Sequence, residues 1–137
     1  MKTLPKTDNA LVVRTDFGND KEWENICEEI MNPENEFEAF VEFVENKDFE
    51  ELSTDQLPSY DFGNSDHSFI FLVDKITFLN PEHPILCVDL LDEFGKSFRI
   101  TPASLWIASS CLSAGNKSFW EFTDSLDSQG IYRPYED

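Results

Sequence analysis

The chain has 137 residues, 40% of them hydrophobic, with 13 Phe and 3 Trp, enough to bury the core of one domain over 1–137. Ten basic residues against 28 acidic ones leave a net charge of −18, which argues against nucleic acid as a partner, because phosphates are neutralised by clustered Lys and Arg, and against an anionic membrane surface. Five Gly and seven Pro are too few for a collagen-like, mucin-like or linker-rich chain.

In chain order, Ala10-Leu11-Val12-Val13 is continuously apolar, as a strand covered on both faces is. It runs into Arg14-Thr15-Asp16-Phe17-Gly18-Asn19, where Gly18 permits a turn and Asn19 with Glu22 predicts a capping box. The helix that follows places Trp23, Ile26, Cys27, Ile30 and Met31 on one face and Glu22, Glu24, Glu28 and Glu29 on the other, and it stops at Asn32-Pro33. Residues 37–45 alternate with period two, which predicts a strand, and its mixed second face predicts an edge position. Residues 48–57 read as short helical turns ending at Pro58, and 60–66 as a loop.

Ser68 to Val73 predicts a third strand, Asp74 to Phe78 a helical turn, Asn80 to Pro84 a stiff loop and Ile85 to Leu91 a fourth strand. Gly95 then turns the chain into Lys96–Ile100, an antiparallel hairpin strand. Thr101-Pro102 predicts a helix start with Thr as N-cap and Pro at the first helical position. Ser118-x-x-Glu121 predicts a last helix with Phe119, Phe122 and Leu126 inward, stopped by Gly130, and 131–137 reads as a tail. The expected fold is α/β: a single domain with a mixed, mostly parallel sheet of about five strands, a C-terminal hairpin strand and helices packed on both faces.

Three aspartates end apolar strands: Asp16, Asp74 and Asp89. Ligands in open α/β sheets bind beyond the carboxyl ends of strands, so these three, with Arg14 and His83, form the candidate binding cluster. Gathered carboxylates suit a hard cation such as Mg²⁺. The plainer reading, polar residues marking where strands reach solvent, outweighs it, because the chain has no Gly-rich phosphate loop and no Asp-x-Asp pair. His67 and His83 lack zinc-ligand spacing and no Gly-x-Ser-x-Gly elbow exists, so hydrogen-bonded structural roles are expected for both. No catalytic residue, metal or cofactor is assigned. Arg14, following an apolar strand, is expected to be buried and paired with Asp74 or Asp89, since an unmatched buried charge is costly.

Charge is the most distinctive feature. Residues 20–55 hold 14 acids against Lys21 and Lys47, a net of −12 from about a quarter of the chain. A solvated, solubilising face accounts for it, and so does a surface that steers a basic protein by charge, with Glu24, Glu28, Glu29, Glu38 and Glu42 facing the partner. The sequence names no activity, and two functional expectations stand. One is a non-enzymatic acidic interaction module, a regulatory or immunity-type partner of a basic protein. The other is a small metal-dependent hydrolase or anionic-ligand domain using the strand-end aspartates.

The N-terminal Met1 to Lys6 has no apolar run behind its lysines, and the longest apolar stretches are strand-sized, so neither a signal peptide nor a membrane span is expected. Cys27, Cys87 and Cys111 stand 60 and 24 residues apart in apolar contexts, which predicts buried free thiols and a reducing, cytoplasmic compartment.

Several blocks carry a resemblance: Leu11 to Phe17 followed by Trp23, His67 to Asp74, Pro81 to Leu90, Phe98-Arg99-Ile100, Leu105-Trp106, and Gly130-x-x-Arg133. Together they resemble, end to end, a family of short acidic single-domain bacterial proteins catalogued as a domain of unknown function. The Arg-Thr-Asp-Phe and Pro-Glu-His-Pro blocks are its most specific parts. Where that family often has Asn-Asn-Leu-Ser after Leu-Trp, this chain reads Ser109-Ser110-Cys111-Leu112-Ser113. The resemblance implies a bacterial cytosolic origin and brings no activity, cofactor or catalytic residue.

Overall fold

The structure, a computed structural model, describes residues 10–31, 41–52, 54, 68–90, 93, 95–114 and 118–133. Its strands are β1 (Ala10–Arg14), β2 (Val41–Val44), β3 (Phe69–Val73), β4 (Ile85–Asp89), β5 (Ser97–Ile100) and β6 (Ile131–Tyr132). Its α-helices are α1 (Asp20–Met31), α2 (Lys75–Leu79), α3 (Leu105–Ala114) and α4 (Phe119–Thr123).

The six strands form one mixed sheet in the order β2-β1-β3-β4-β5-β6. β1 runs parallel to β2 and β3, β5 runs parallel to β6, and β4 is antiparallel to both of its neighbours. The period-two strand is the edge strand expected of it, although residues 37–40 lie outside the described part. Gly95, at φ 94°, adopts the left-handed conformation that the β4–β5 hairpin requires. The predicted tail holds a sixth strand instead: Ile131 and Tyr132 pair with Arg99 and Ile100.

Alternation sorts the strand residues onto two faces. Val12, Phe71, Val73, Ile85, Cys87, Phe98 and Ile100 face a core filled by Trp23, Ile26 and Ile30 of α1, Leu105 and Ala108 of α3, and Phe119 and Phe122 of α4. In it Phe98 stacks on Phe122 with ring centroids 5.2 Å apart, and Tyr132 meets Phe122 edge-on at 4.8 Å. Leu11, Val13, Val44, Ile70, Leu72 and Val88 face the other side, where Phe49 and Leu52 cover them. Helices are expected on both faces; among the described residues, those packed over this second one come from a 3₁₀ turn (Lys47–Phe49) and the chain after it.

The helix starts follow the sequence at Asn19 and Ser118. Asn19 Oδ1 accepts from Glu22 N–H at 3.0 Å, and the Glu121 carboxylate accepts from Ser118 N–H at 2.7 Å. Thr101 makes no side-chain cap; a 3₁₀ turn, Pro102–Ser104, precedes α3. Leu126 lies past the end of α4, bridged to Tyr132. Among the described residues, no helix is long and apolar enough to cross a membrane.

Candidate functional site

Arg14 ends β1 with its side chain on the helix-covered face, completely buried. Its Nε donates to the Asp16 carbonyl, one terminal nitrogen to Glu45 and the other to Asp20, each at 2.8 Å. The guanidinium lies 4.5 Å from the Phe17 ring centroid and 5.4 Å from that of Trp23. Burial and carboxylate pairing are as expected, but the partners are not Asp74 and Asp89. Asp74 follows Val73, and Val73 sits opposite Arg14 on the same face, so alternation turns the Asp74 carboxylate to the other side.

On that other side Arg99 grips Asp74 with both terminal nitrogens, at 2.9 and 2.7 Å. Asp74 Oδ1 also accepts from the Thr77 backbone N–H at 3.2 Å, capping α2. Burial alone pushes the Asp74 carboxyl up, but the Arg99 fork and the Thr77 donors outweigh it and hold its pKa below the ordinary 3.8. Asp89 is buried at the opposite end of the sheet, because β4 runs antiparallel and pairs Asp89 with Phe69 at the start of β3. There its carboxylate accepts from Glu93 N–H at 2.9 Å and shapes the hairpin turn. The three strand-end aspartates therefore do not converge. Among the described residues, no group of three or more His, Cys, Asp or Glu is placed to hold a metal ion.

His83 is a buried anchor with φ 50°. Its Nε2 faces the Glu22 carboxylate and its Nδ1 lies 3.0 Å from Glu29, so the loop before β4 is tied to α1. The neighbouring Glu82 takes both terminal nitrogens of Arg133 at 2.7 and 2.9 Å, and Arg133 Nε reaches Asp127 at 2.6 Å. Arg133 holds the Glu82 and Asp127 carboxyls below their ordinary range. His67 lies outside the described residues.

Two concavities among the described residues bear on the site. One, of about 440 Å³, lies along α1 and is lined by Asp20, Trp23, Glu24, Cys27, Glu28 and Glu45. Burial first, then the Glu45 charge, push the Cys27 thiol up to about 12, so it is uncharged at neutral pH. The other, of about 610 Å³, opens at the carboxyl ends of β1 and β3 and brings Asp16 and Asp74 to one wall system, without Arg14, His83 or Asp89. Of the expected partner-facing glutamates, Glu24, Glu28 and Glu29 are exposed on α1, and Glu42 is half-buried on β2. Glu29 also holds His83, and Glu38 lies outside the described residues.

The profile of one family, described as a domain of unknown function, DUF6924, matches residues 9–135. The chain belongs to the DUF6924 family. No curated protein and no solved structure matches it. In this DUF6924 chain the blocks that carried the resemblance are structural anchors: Arg14 and Phe17 at the end of β1, Glu82 and His83 in the loop before β4, and Arg133 after β6.

Sequence reasoning missed Asp20, Glu45 and Arg99 as partners. Glu45 becomes visible only with the β1–β2 register, which pairs Val13 with Val44 and so sets the next residues, Arg14 and Glu45, side by side. Asp20 lies six residues from Arg14 and meets it through the turn into α1. Arg99 had a local signal, since it alternates with Phe98 and Ile100 and so belongs to the face opposite theirs.

Proposed function

We propose that this domain is a non-enzymatic acidic docking module that acts in the cytoplasm as the regulatory or immunity-type partner of a basic protein, without nucleic acid or membrane as a partner. The observation that carries this reading is the cleft along α1. Asp20, Glu24, Glu28 and Glu45 border one concave strip whose other lining residues are Trp23 and Cys27. Asp20 and Glu45 are held at its border by Arg14, which lies completely buried beneath them.

That arrangement is suited to receiving Lys or Arg side chains. Two carboxylates are pre-positioned by a buried cation, and Glu24 and Glu28 stand on the same helix one turn apart. Charge complementarity of this kind governs association rate and partner choice more than affinity. The strand-end aspartates support a hydrolytic reading less well, because Asp89 stands at the far end of the sheet and Asp74 is gripped by Arg99.

The test is affinity capture from a native lysate at about 50 mM and about 500 mM salt, screening lengths of roughly 14 and 4 Å. Wild type is compared with the folded variant E24Q/E28Q. The reading expects a basic protein retained at low salt by wild type alone. Equal retention by both, or none at low salt, contradicts it.

A further inference from the structure

We propose that the 610 Å³ cavity at the carboxyl ends of β1 and β3 is a binding site for a small organic cation with an apolar body, such as a primary amine. The site is separate from the α1 cleft and does not depend on the docking function.

Topology places it. From β1 the chain passes through α1 to β2 on one side of β1, then returns to β3 on the other side, so the boundary between β1 and β3 is where the strand order reverses. A crevice opens there in α/β sheets because the connections leave the two strand ends in opposite directions. Thr15 to Gly18, after β1, form one wall, and Asp74 to Ile76, after β3, form another. The volume falls within the roughly 300–1,000 Å³ of small-molecule sites.

Its lining specifies the ligand. Leu72 is a buried side chain of the second sheet face, Leu52 is buried against that face, and Leu86 stands beside Leu72 in the β3–β4 register, so the floor is aliphatic. Around it the described lining residues include four carboxylates, on Asp16, Glu50, Glu51 and Asp74, and one ammonium, on Lys75. Arg99 already neutralises Asp74 and Lys75 offsets one further charge, so Asp16, Glu50 and Glu51 still leave the rim net negative. A hydrocarbon body on the leucine floor with an ammonium at that rim satisfies both parts, whereas an anion meets repulsion and a neutral ligand forgoes the charge.

The test titrates the full chain with phenethylamine, 2-phenylethanol and phenylacetate, followed residue by residue by NMR. The expected result is saturable phenethylamine binding, with the largest shifts at Thr15, Leu52, Leu72 and Leu86. The alcohol should bind about fivefold more weakly, the scale of exposed charge pairing, and phenylacetate more weakly still. E50Q/E51N, whose Asn tolerates the φ of 63° at position 51, should lose that amine preference, while E24Q/E28Q should keep it. If the first variant fails to fold, D16N makes the same comparison, since its amide oxygen can still accept from Gly18 N–H. No saturable amine binding up to about 20 mM, weak even for a ligand of this size, overturns the proposal. So does equal affinity for the alcohol or the acid, or equal loss in E24Q/E28Q.

Discussion

Glu45 stands 2.8 Å from Arg14 because both lie one residue beyond the last pair of the β1–β2 ladder, Val13 and Val44. The pair therefore joins the edge strand to the centre of the sheet, and Asp20 extends it to the first residue of α1. Three elements meet at one cation that has no exposed surface, while the carboxylates are 53% and 83% exposed.

That asymmetry sets the expected effect of Arg14→Ala. The released carboxylates can be solvated, so the exposed ion pairs contribute little, about 1 kcal/mol or less each. The larger loss is the packing of the guanidinium against Phe17 and Trp23 and the void left under them. A net cost of ~1–3 kcal/mol follows, seen as a fall of several degrees in Tm by circular dichroism. Arg14→Lys should not restore it, because an ammonium cannot supply three directed donors in one plane. An unchanged Tm in Arg14→Ala would show that the cluster does not hold the sheet to α1.

Stability should decline in acid through Asp74. Its folded pKa lies below the ordinary 3.8, so the unfolded chain takes up the proton first. The stabilisation is thus fully present above the unfolded value and drains away as pH falls through 3.8 toward the folded value. Urea unfolding between about pH 6 and pH 2.5 measures it. Asp74→Asn should be less stable than wild type at pH 6, with the gap closing in acid. A gap that stays constant with pH would remove the Asp74–Arg99 pair from the account. Glu82 and Asp127, both lowered by Arg133, act with the same sign.

Cys27 should alkylate slowly although it lines an open cleft. With a pKa of about 12, only about one thiol in ten thousand is thiolate at pH 8. Iodoacetamide labelling followed by mass spectrometry should modify Cys27 far more slowly than an unperturbed cysteine, and the fully buried Cys87 only on unfolding. Labelling of Cys27 at the rate of a free thiol would contradict the placement of Glu45 and the burial beside it.

What the sequence made legible was local. The apolar runs of β1 and β3, the face of α1 that buries Trp23, Ile26 and Ile30, and the Gly95 hairpin all depend on patterns within a few residues. β6 escaped because two residues carry no period, and its pairing with Arg99 and Ile100 spans about thirty positions. The convergence expected of Asp16, Asp74 and Asp89 failed on strand direction. Residues 74–84 joining β3 to β4 are shorter than the dozen or more that a parallel crossover needs. That count was a signal that Asp89 belonged at the other end. The pairing of Arg14 with Glu45 depended on register, which no single segment encodes.

The central claim is that the carboxylates along α1 attract a basic partner through their charge. Its most direct test is the association rate constant between this chain and the basic protein it captures, measured by stopped flow from about 20 to 500 mM salt. The account predicts a rate falling at least tenfold over that range for wild type, with a shallow dependence for E24Q/E28Q and little change in its dissociation rate. A rate indifferent to salt, or an equally steep decline in the neutralised variant, would contradict it.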